Sequence, residues 1–264
     1  MSYVDIDRDK YLRHIKDPED IQNMRRVLDL VEIVTRDHIP QATDFLNPYL
    51  VRLSQSILNR FDNIDYGVFG AYEAAEREVV VISPDYHYLT KKDYNIRVLR
   101  LWGETEGLSH RDFLGGILGQ GISRDKLGDI LVFDNHADII IKAEIENFIR
   151  INLDKIGNKR FEVERVDFED LVAVEDEYEE IYRSLSSLRL DSYISSAYNL
   201  SRKDGQNLVN KGYVKVNFEP IDRPAYEIKE KDLVSVRGFG RSKLHKIKGV
   251  SKKDRLKVDI RILI

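Results

Sequence analysis

The most constraining feature of the sequence is a central run of six segments in the order strand, helix, strand, strand, helix, strand. Asp and Asn in the Asp134-Asn135-His136 turn tolerate tight-turn backbone angles, which supports a hairpin between the middle strands. The order is that of the ferredoxin-like fold, which RNA recognition motifs (RRMs) share. The strands are predicted at residues 94–102, 129–133, 137–142 and 160–166, and the helices at 109–118 and 143–153.

The residues before this run change from a helical to a strand period. Asp17-Pro18 is typical of a helix start, and apolar residues at three- and four-residue spacing extend that helix to about residue 38. Residues 43–61 are predicted to form one or two further helices. Residues 66–72 and 78–83 are predicted to form a hairpin.

Charge divides the chain more sharply than its net value of -4 indicates. Residues 183–264 hold 19 of the 42 basic and 9 of the 46 acidic side chains, a net of +10, which leaves -14 for residues 1–182. A basic segment of this kind favours a polyanionic partner, although it can also be a solvated face.

The predicted class is α+β, with a helical N-terminal region at 1–63, an RRM-like, ferredoxin-like domain at 64–168, an acidic linker at 169–182 and a small basic domain at 183–264.

Composition excludes several kinds of site. The chain has no cysteine, which excludes disulfides, thiolate metal sites and a cysteine nucleophile. Its six histidines show no metal-ligand spacing, the N-terminal residues lack the apolar run of a signal peptide, and no stretch approaches about 20 apolar residues. We therefore expect a cytoplasmic protein with no membrane partner, no metal and no cofactor.

In the basic domain, two short helices are followed by strands. The first helix is predicted after Arg189 and the second after its cap, Ser201. The strands are predicted at residues 213–217, 220–228 and 233–237. In the second helix Gly205, Leu208 and Val209 fall on one face, and the polar residues Lys203, Gln206 and Asn210 fall on another.

These residues resemble the alpha-L RNA-binding domain of ribosomal protein S-four, a module that also occurs in tyrosyl-tRNA synthetases and pseudouridine synthases. Gly205 and Phe218 depart from the family pattern, which usually has alanine and glycine at these places. Gly205 should cost roughly 1 kcal/mol of helix preference relative to alanine. The resemblance covers residues 187–243 and rests on Arg189-Leu190-Asp191, Ser201-Arg202, Leu208-Val209, 212–217, Asp232 and 234–238.

Basic side chains at helix ends suit phosphate contacts, and shape and phosphates usually dominate the recognition of structured RNA. Beyond the alpha-L phrase the basic tail adds nine cations against Asp254 alone, and we expect it to extend the same surface. Those nine are Arg237, Arg241, Lys243, Lys246, Lys248, Lys252, Lys253, Arg255 and Lys257. The predicted RNA-binding residues are Arg189, Ser201, Arg202, Lys203, Gln206, Asn210, Lys211, Lys215, Arg237, Arg241 and Lys243.

Residues 110–130 form a glycine-rich phrase, but the Gly-Lys-Ser or Gly-Lys-Thr ending of a phosphate loop is missing. Close helix packing through Gly115 and Gly119, with Gly121 as a left-handed cap, explains the glycines. Arg124 and Lys126 follow on a loop, where they either contact RNA or are simply solvated.

The same phrase, with residues 43–46 and 70–77, resembles the YlmH family over nearly the whole chain. The resemblance implies a helical N-terminal region, an RRM-like domain and an alpha-L domain. It also implies work on the ribosome, on large subunits stalled with peptidyl-tRNA, and a looser link to cell division. Structured RNA, either rRNA or tRNA, is the implied partner. The strand at 137–142 lacks the aromatic side chains that stack on bases in RNA recognition motifs. Two functions of the central domain therefore stay equally open: docking to the ribosome or to a protein, and base stacking.

Two other functions stay open at this point. A cell-division or scaffold protein would use protein contacts of the acidic N-terminal part and bind RNA only secondarily. An RNA-modifying enzyme is the weaker alternative, because the pseudouridine synthase phrase, a synthetase histidine signature and a methyltransferase glycine turn are all absent from the sequence. We predict no catalytic residues.

Overall fold

The structure is a computed structural model that describes residues 6–174, 177–251 and 253–264. Lys252 of the basic tail lies outside the described residues. The chain divides into two compact units, Met1–Val174 and Glu175–Ile264, each with its own sheets and hydrophobic core residues. Both units contain helices and strands, which confirms the predicted α+β class.

The first unit begins with three helices and three strands: α1 Arg8–Leu12, α2 Pro18–Asp37, β1 Gln41–Ala42, α3 Pro48–Leu58, β2 Ile64–Phe69 and β3 Val79–Pro84. The start of α2 is as predicted. The carboxylate of Asp17 accepts the backbone N–H groups of Glu19 and Asp20 at 2.8 and 3.2 Å, and satisfies donors that the helix leaves free.

The predicted hairpin is present as β2 and β3, and β1 pairs with the other side of β3. The helix predicted from residue 43 begins only at α3, because residues 43–47 run extended along the hairpin. The Thr43 N–H donates to the Val80 carbonyl at 2.9 Å, and the Leu46 N–H donates to the Glu78 carbonyl at 2.8 Å. Pairing with the hairpin satisfies this backbone, which a local helical spacing of apolar residues cannot reveal.

The central sheet is formed by the strands β4 Ile96–Trp102, β5 Leu127–Val132, β6 His136–Lys142 and β9 Glu162–Val166. The same part of the chain contains the helices α4 His110–Leu118 and α5 Glu146–Asn152. A separate small hairpin is formed by β7 Lys155–Ile156 and β8 Lys159–Arg160. Its spatial order is β5-β6-β4-β9, and every neighbouring pair is antiparallel. The first and third strands of the βαββαβ run are therefore central. This is the ferredoxin-like arrangement predicted from the sequence.

The two faces of the central sheet have different neighbours. Leu99 and Ile139 belong to a core that includes residues of α4 and α5. Val98 and Ile140, on the opposite face, pack in a cluster with Phe45 of the extended segment and with residues of β3. The face on which RNA recognition motifs stack bases is thus largely covered inside the first unit.

Polar contacts join the N-terminal strands to the central sheet. Asp129 accepts the backbone N–H groups of Glu76 and Arg77 at 2.7 and 3.1 Å, and the Tyr72 hydroxyl at 2.9 Å. The Arg77 guanidinium donates to the carbonyls of Leu127 and Phe45 at 2.9 and 2.8 Å. Burial lowers the pKa of Arg77 to about 10, so the side chain stays charged and acts as an internal tie.

The glycine phrase packs differently from the prediction. A Cβ on Gly115 would meet nothing within 4 Å, whereas a Cβ on Gly116 would lie 2.5 Å from the Ile156 side chain. Gly116, not Gly115, is therefore the close-packing position of α4. Gly121 has a φ of +84°, the predicted left-handed conformation, although the helix itself ends at Leu118.

The second unit contains a six-stranded antiparallel sheet in the order β10-β15-β14-β13-β11-β12. Its helices are α6 Leu190–Ala197 and α7 Arg202–Asn210, and its strands are β10 Tyr178–Leu185, β11 Val214–Val216, β12 Glu219–Pro220, β13 Leu233–Val236, β14 Gly240–Val250 and β15 Leu256–Leu263. Buried residues of α6 and α7, among them Tyr193, Ile194 and Val209, form one core with residues of the sheet.

Two parts of this unit differ from the predicted organisation. β10 begins inside the segment predicted as an acidic linker, and it pairs along its whole length with β15. The predicted basic tail is a long hairpin of β14 and β15 instead. The physical reason is an alternation of period two, in which Leu244, Val258 and Ile260 are buried between polar or charged neighbours.

Candidate nucleic-acid interface

Three of the predicted RNA-binding side chains converge on Asp191, in the first turn of α6. The Arg189 guanidinium donates to both carboxylate oxygens, at 3.1 and 2.9 Å, and the Gln206 amide donates to one of them at 3.0 Å. Nε of Arg202 lies 3.5 Å from the same carboxylate. Asp191 is fully buried, while Arg189 and Arg202 keep 33% and 55% of their side chains exposed. The carboxylate thus fixes two guanidinium groups at the surface.

The electrostatics of this cluster favour the charged forms of Asp191 and Arg189. Burial alone would raise the pKa of Asp191, but the hydrogen bonds from Arg189 and Gln206 and the charges of Arg189 and Arg202 lower it to about 2. Hydrogen bonding to Asp191 raises the pKa of Arg189 in turn. Two cations and one anion leave one net positive charge. Because the guanidinium groups are already held in place, less side-chain entropy would be lost if they bound a phosphate.

A close approach of α6 and α7 makes the cluster possible. A Cβ on Gly205 would lie 2.7 Å from the carbonyl oxygen of Asp191, closer than a carbon atom can approach it. Glycine at this position therefore allows the two helices to touch, and it brings Gln206 and Arg202 within reach of Asp191. Gly205, in place of the alanine that is usual in the family, therefore permits the helix contact in addition to lowering the helix preference.

The other predicted residues of α7 lie at its two ends and along its polar face. Ser201 is the N-cap as predicted, since its hydroxyl accepts the Asp204 N–H at 3.1 Å. Lys203 is exposed in the first turn, and Lys211 is exposed at the C-cap. Asn210 lies one turn beyond Gln206 on the same side of the helix.

The remaining predicted residues of the second unit lie outside the Asp191 cluster, on strands or, for Arg237, just after one. Lys215, Arg241 and Lys243 belong to the face of the sheet opposite the helical core. The Arg241 guanidinium lies 5.4 Å from the centroid of the Phe218 ring. Arg237 follows β13, and its guanidinium lies 5.2 Å from the Tyr213 ring. The predicted set is thus distributed over more than one surface.

Phe218 occupies a turn whose backbone explains the usual glycine. Asn217 and Phe218 have φ values of +49° and +70°, so both residues of this two-residue turn are left-handed. Asn217 tolerates this conformation, donates to Asp232 at 2.8 Å and accepts the Leu233 N–H at 2.9 Å. Phe218 adopts the same conformation at a steric cost and packs against Arg241.

In the structure, Arg124 and Lys126 both make contacts within the first unit. The Arg124 guanidinium donates to the carbonyls of Leu127 and Gly128, at 2.6 and 3.3 Å. The Lys126 ammonium lies 2.7 Å from Asp44 and 2.6 Å from Glu144, and the side chain is 29% exposed. The Arg124 side chain therefore stabilises the start of β5, and the Lys126 side chain links the segment around Asp44 to the residues that follow β6.

A cavity of about 1030 Å³ lies beside these residues in the first unit. Its charged lining is balanced, with six cations and six anions. Among the described residues, no group of three or more His, Asp or Glu side chains could hold a metal ion. The cations of the lining are Arg26, Arg77, Lys92, Arg124, Lys126 and Lys142, and the anions are Glu19, Asp29, Asp44, Asp93, Asp125 and Glu144.

Sequence reasoning missed Asp191 as the organiser of the site. An aspartate two residues after Arg189, in the first turn of a helix, is the signal for this role in the sequence. Sequence reasoning also missed the exposed Tyr178 and Tyr182 of β10, which are 40% and 63% exposed. Their alternation with Ile181 was visible within the segment predicted as a linker.

Three family models match successive parts of the chain. Residues 19–87 match the model described as "YlmH, N-terminal", residues 90–170 match "Putative RNA-binding domain in YlmH", and residues 188–234 match "S4 domain". The last of these covers both helices of the Asp191 cluster. No described helix has the length and apolar character needed to cross a membrane.

Comparison with individual proteins agrees with the family models. The chain is 32% identical over 235 residues to ribosome-associated protein quality control protein P2 of Bacillus subtilis (strain 168), covering 88% of this chain and 91% of that protein. It is similar in structure to cell division protein ylmH from Streptococcus pneumoniae, with a TM-score of 0.53 and 25% identity, over 60% of this chain and 97% of that one. An uncharacterised RNA pseudouridine synthase of Aquifex aeolicus (strain VF5) is 37% identical over only 51 residues, 19% of this chain and 21% of that protein. From the long match to the quality control protein and the three domain matches in order, the chain belongs to the YlmH family.

Proposed function

We propose that this protein is a non-enzymatic, ribosome-associated RNA-binding protein of translation quality control, which acts on large ribosomal subunits that carry stalled peptidyl-tRNA. The observation that carries the proposal is the Asp191 cluster, because a buried carboxylate that holds Arg189 and Arg202 at the surface prepares guanidinium groups for phosphates. The B. subtilis relative, named as a ribosome-associated quality control protein, supports the ribosome as the source of that RNA. Ribosome association would also account for the cytoplasmic location expected from the sequence.

The RNA-binding surface in this proposal is the polar side of α6 and α7. Arg189, Arg202 and Lys203 would contact phosphates, and Gln206 would hold the Asp191 carboxylate in place. The first unit has a balanced cavity and internally paired cations, and its sheet face is covered. Its role in the proposal is therefore to contact a protein surface of the ribosomal particle, and the net charge of -9 on residues 1–174 keeps it away from naked RNA.

Sedimentation of ribosomal subunits from lysate tests the proposal. The wild-type chain should sediment with large subunits, more strongly after translational arrest followed by subunit splitting, and RNase should release it. Arg202→Gln with Lys203→Gln should weaken binding and reduce the slope of log affinity against log salt by about 1 to 2. Lys229→Gln with Lys231→Gln removes the same charge from exposed positions outside the cluster and should leave binding nearly unchanged. Equal losses for both pairs would show that only bulk charge matters, and absence from large subunits after arrest would refute the proposal.

The second candidate is a cell-division or scaffold protein that uses contacts of the acidic first unit. The S. pneumoniae structure, named as a cell division protein, favours it. The two candidates differ in location and in RNase sensitivity. Enrichment at the division site that persists in the Arg202→Gln, Lys203→Gln variant, without enrichment on ribosomal particles, would support the scaffold and exclude the ribosomal function.

A further inference from the structure

The outer face of the second unit's sheet carries a continuous group of basic and aromatic side chains. Strand registers place alternate residues of β10, β15, β14, β13 and β11 on this face, opposite the core formed with α6 and α7. Four neighbouring intervals at about 4.8 Å make the face about 19 Å wide. Its basic residues are Lys215, Arg241, Lys243, Lys246, Lys248, Lys257 and Arg261, its acids are Glu180 and Asp259, and its tyrosines are Tyr178 and Tyr182.

The two acids are each neutralised by a cation beside a tyrosine. The Lys248 ammonium lies 2.8 Å from Asp259 and 4.6 Å from the centroid of the Tyr182 ring. Arg261 lies 2.9 Å from Glu180 and 4.0 Å from the Tyr178 ring. Each ring therefore lies beside a cation that an ion pair holds in place, and the two tyrosines remain 40% and 63% exposed.

The lysines farther along the face are not compensated. Lys215, Lys243, Lys246 and Lys257 are exposed, and none of them forms an ion pair with a carboxylate in the part of the chain that the structure describes. The face thus combines a positive field with a supported aromatic ring, Tyr182, that is 63% exposed. Proteins that hold single-stranded nucleic acid use this combination, with cations along the backbone and aromatic rings under the bases.

We propose that this outer sheet face is a second RNA-binding surface, which holds an unpaired RNA segment with one base stacked on Tyr182 and its phosphates along Lys243 and Lys246. Tyr178 and Tyr182 are four residues apart on one strand, about 13 Å, so a single base cannot cover both rings and each would take a different base. Most of the face lies on β10, β14 and β15, outside the residues 188–234 that match the S4 domain. The inference rests on the proposed RNA-binding function, but it uses a different surface from the Asp191 cluster.

The test uses the full chain and two RNA probes, a short unstructured oligouridine that contains one 2-aminopurine and a fully paired RNA hairpin. Stacking on Tyr182 should quench the 2-aminopurine fluorescence. Tyr182→Leu should reduce the quenching to what stacking on Tyr178 alone produces and weaken oligouridine binding about fivefold or more, with less than a twofold effect on the hairpin. Tyr182→Phe keeps the ring and should restore both signals. Tyr88→Leu, a change at a tyrosine of the first unit that is 92% exposed, should change neither.

The outcomes separate this inference from the proposed function. Arg202→Gln should weaken hairpin binding more than oligouridine binding, the reverse of Tyr182→Leu. Unchanged quenching and affinity in Tyr182→Leu, with hairpin binding intact in the wild type, would overturn the inference and leave the proposed function standing. Binding of neither RNA to the wild type would overturn both. Tighter, Tyr182-dependent binding of an acidic polypeptide such as polyglutamate would overturn it in favour of an acidic protein segment.

Discussion

Gly205→Ala is expected to destabilise the second unit although it improves the intrinsic preference of α7. In an exposed helix, replacing glycine by alanine stabilises by about 1 kcal/mol. Here the new Cβ would lie 2.7 Å from the Asp191 carbonyl oxygen and 3.6 Å from the backbone nitrogen of Ser195. The neighbour is helix backbone, which cannot rotate away, so α7 has to move by about half an ångström, and overpacking of this kind costs about 1–3 kcal/mol. The net result should be a loss of about 1 kcal/mol.

Urea titration followed by hydrogen exchange and mass spectrometry measures the effect, because peptides report the two units separately. Gly115→Ala is the matched control, since a Cβ there meets nothing within 4 Å, and it should stabilise the first unit by about 0.5–1 kcal/mol. Gly205→Ala should also weaken RNA hairpin binding, because the shift moves Gln206 and Arg202 away from Asp191. A stabilisation equal to that of Gly115→Ala would refute the idea that the helix contact limits this position.

Three further predictions concern buried or strained polar groups. Asp191→Asn should destabilise the second unit by about 3 kcal/mol and weaken hairpin binding, because it leaves Arg189 and Arg202 without a buried counter-charge; wild-type stability by urea titration would contradict this. Asn217→Ala should lower the free energy of unfolding by about 2 kcal/mol, because it loses two hydrogen bonds and places alanine at a φ of +49°. Asn207→Ala, at an exposed position of α7, should be nearly neutral, and equal effects of the two substitutions would show that the turn has no special role. Lys142 is 3% exposed and donates to the carbonyls of Thr43 and Tyr94, and burial lowers its pKa to about 8 from 10.5. Between these two pKa values the unfolded chain binds more protons than the folded chain, so the wild type becomes more stable as the pH rises. Its stability relative to Lys142→Met should therefore increase by about 2 kcal/mol from pH 7 to 9.5. A difference that does not change with pH would show that Lys142 does not titrate in this way.

Local sequence information was sufficient for much of the fold. Helix starts at Asp17 and Ser201 were predictable because a cap acts within three residues of itself. The βαββαβ order was predictable because each element has its own hydrophobic period. The charge division needed only counting, and the resemblance of the alpha-L phrase was enough to select Arg189, Arg202 and Gln206 as candidates.

Contacts between distant residues decided the rest. β10 pairs with β15, about 80 positions later, and a strand at a sheet edge with charged residues looks like a linker until its partner is known. The sign of the Gly205 effect depends on the Asp191 carbonyl, which lies in another helix. The sequence alone therefore determined which side chains are candidates for RNA contacts. Only the tertiary structure determined which of these side chains are held by a buried carboxylate, which are engaged in internal ion pairs, and which share a sheet face with exposed tyrosines. The reason is that charge pairing and burial depend on distances between residues far apart in the sequence, and local patterns do not contain those distances.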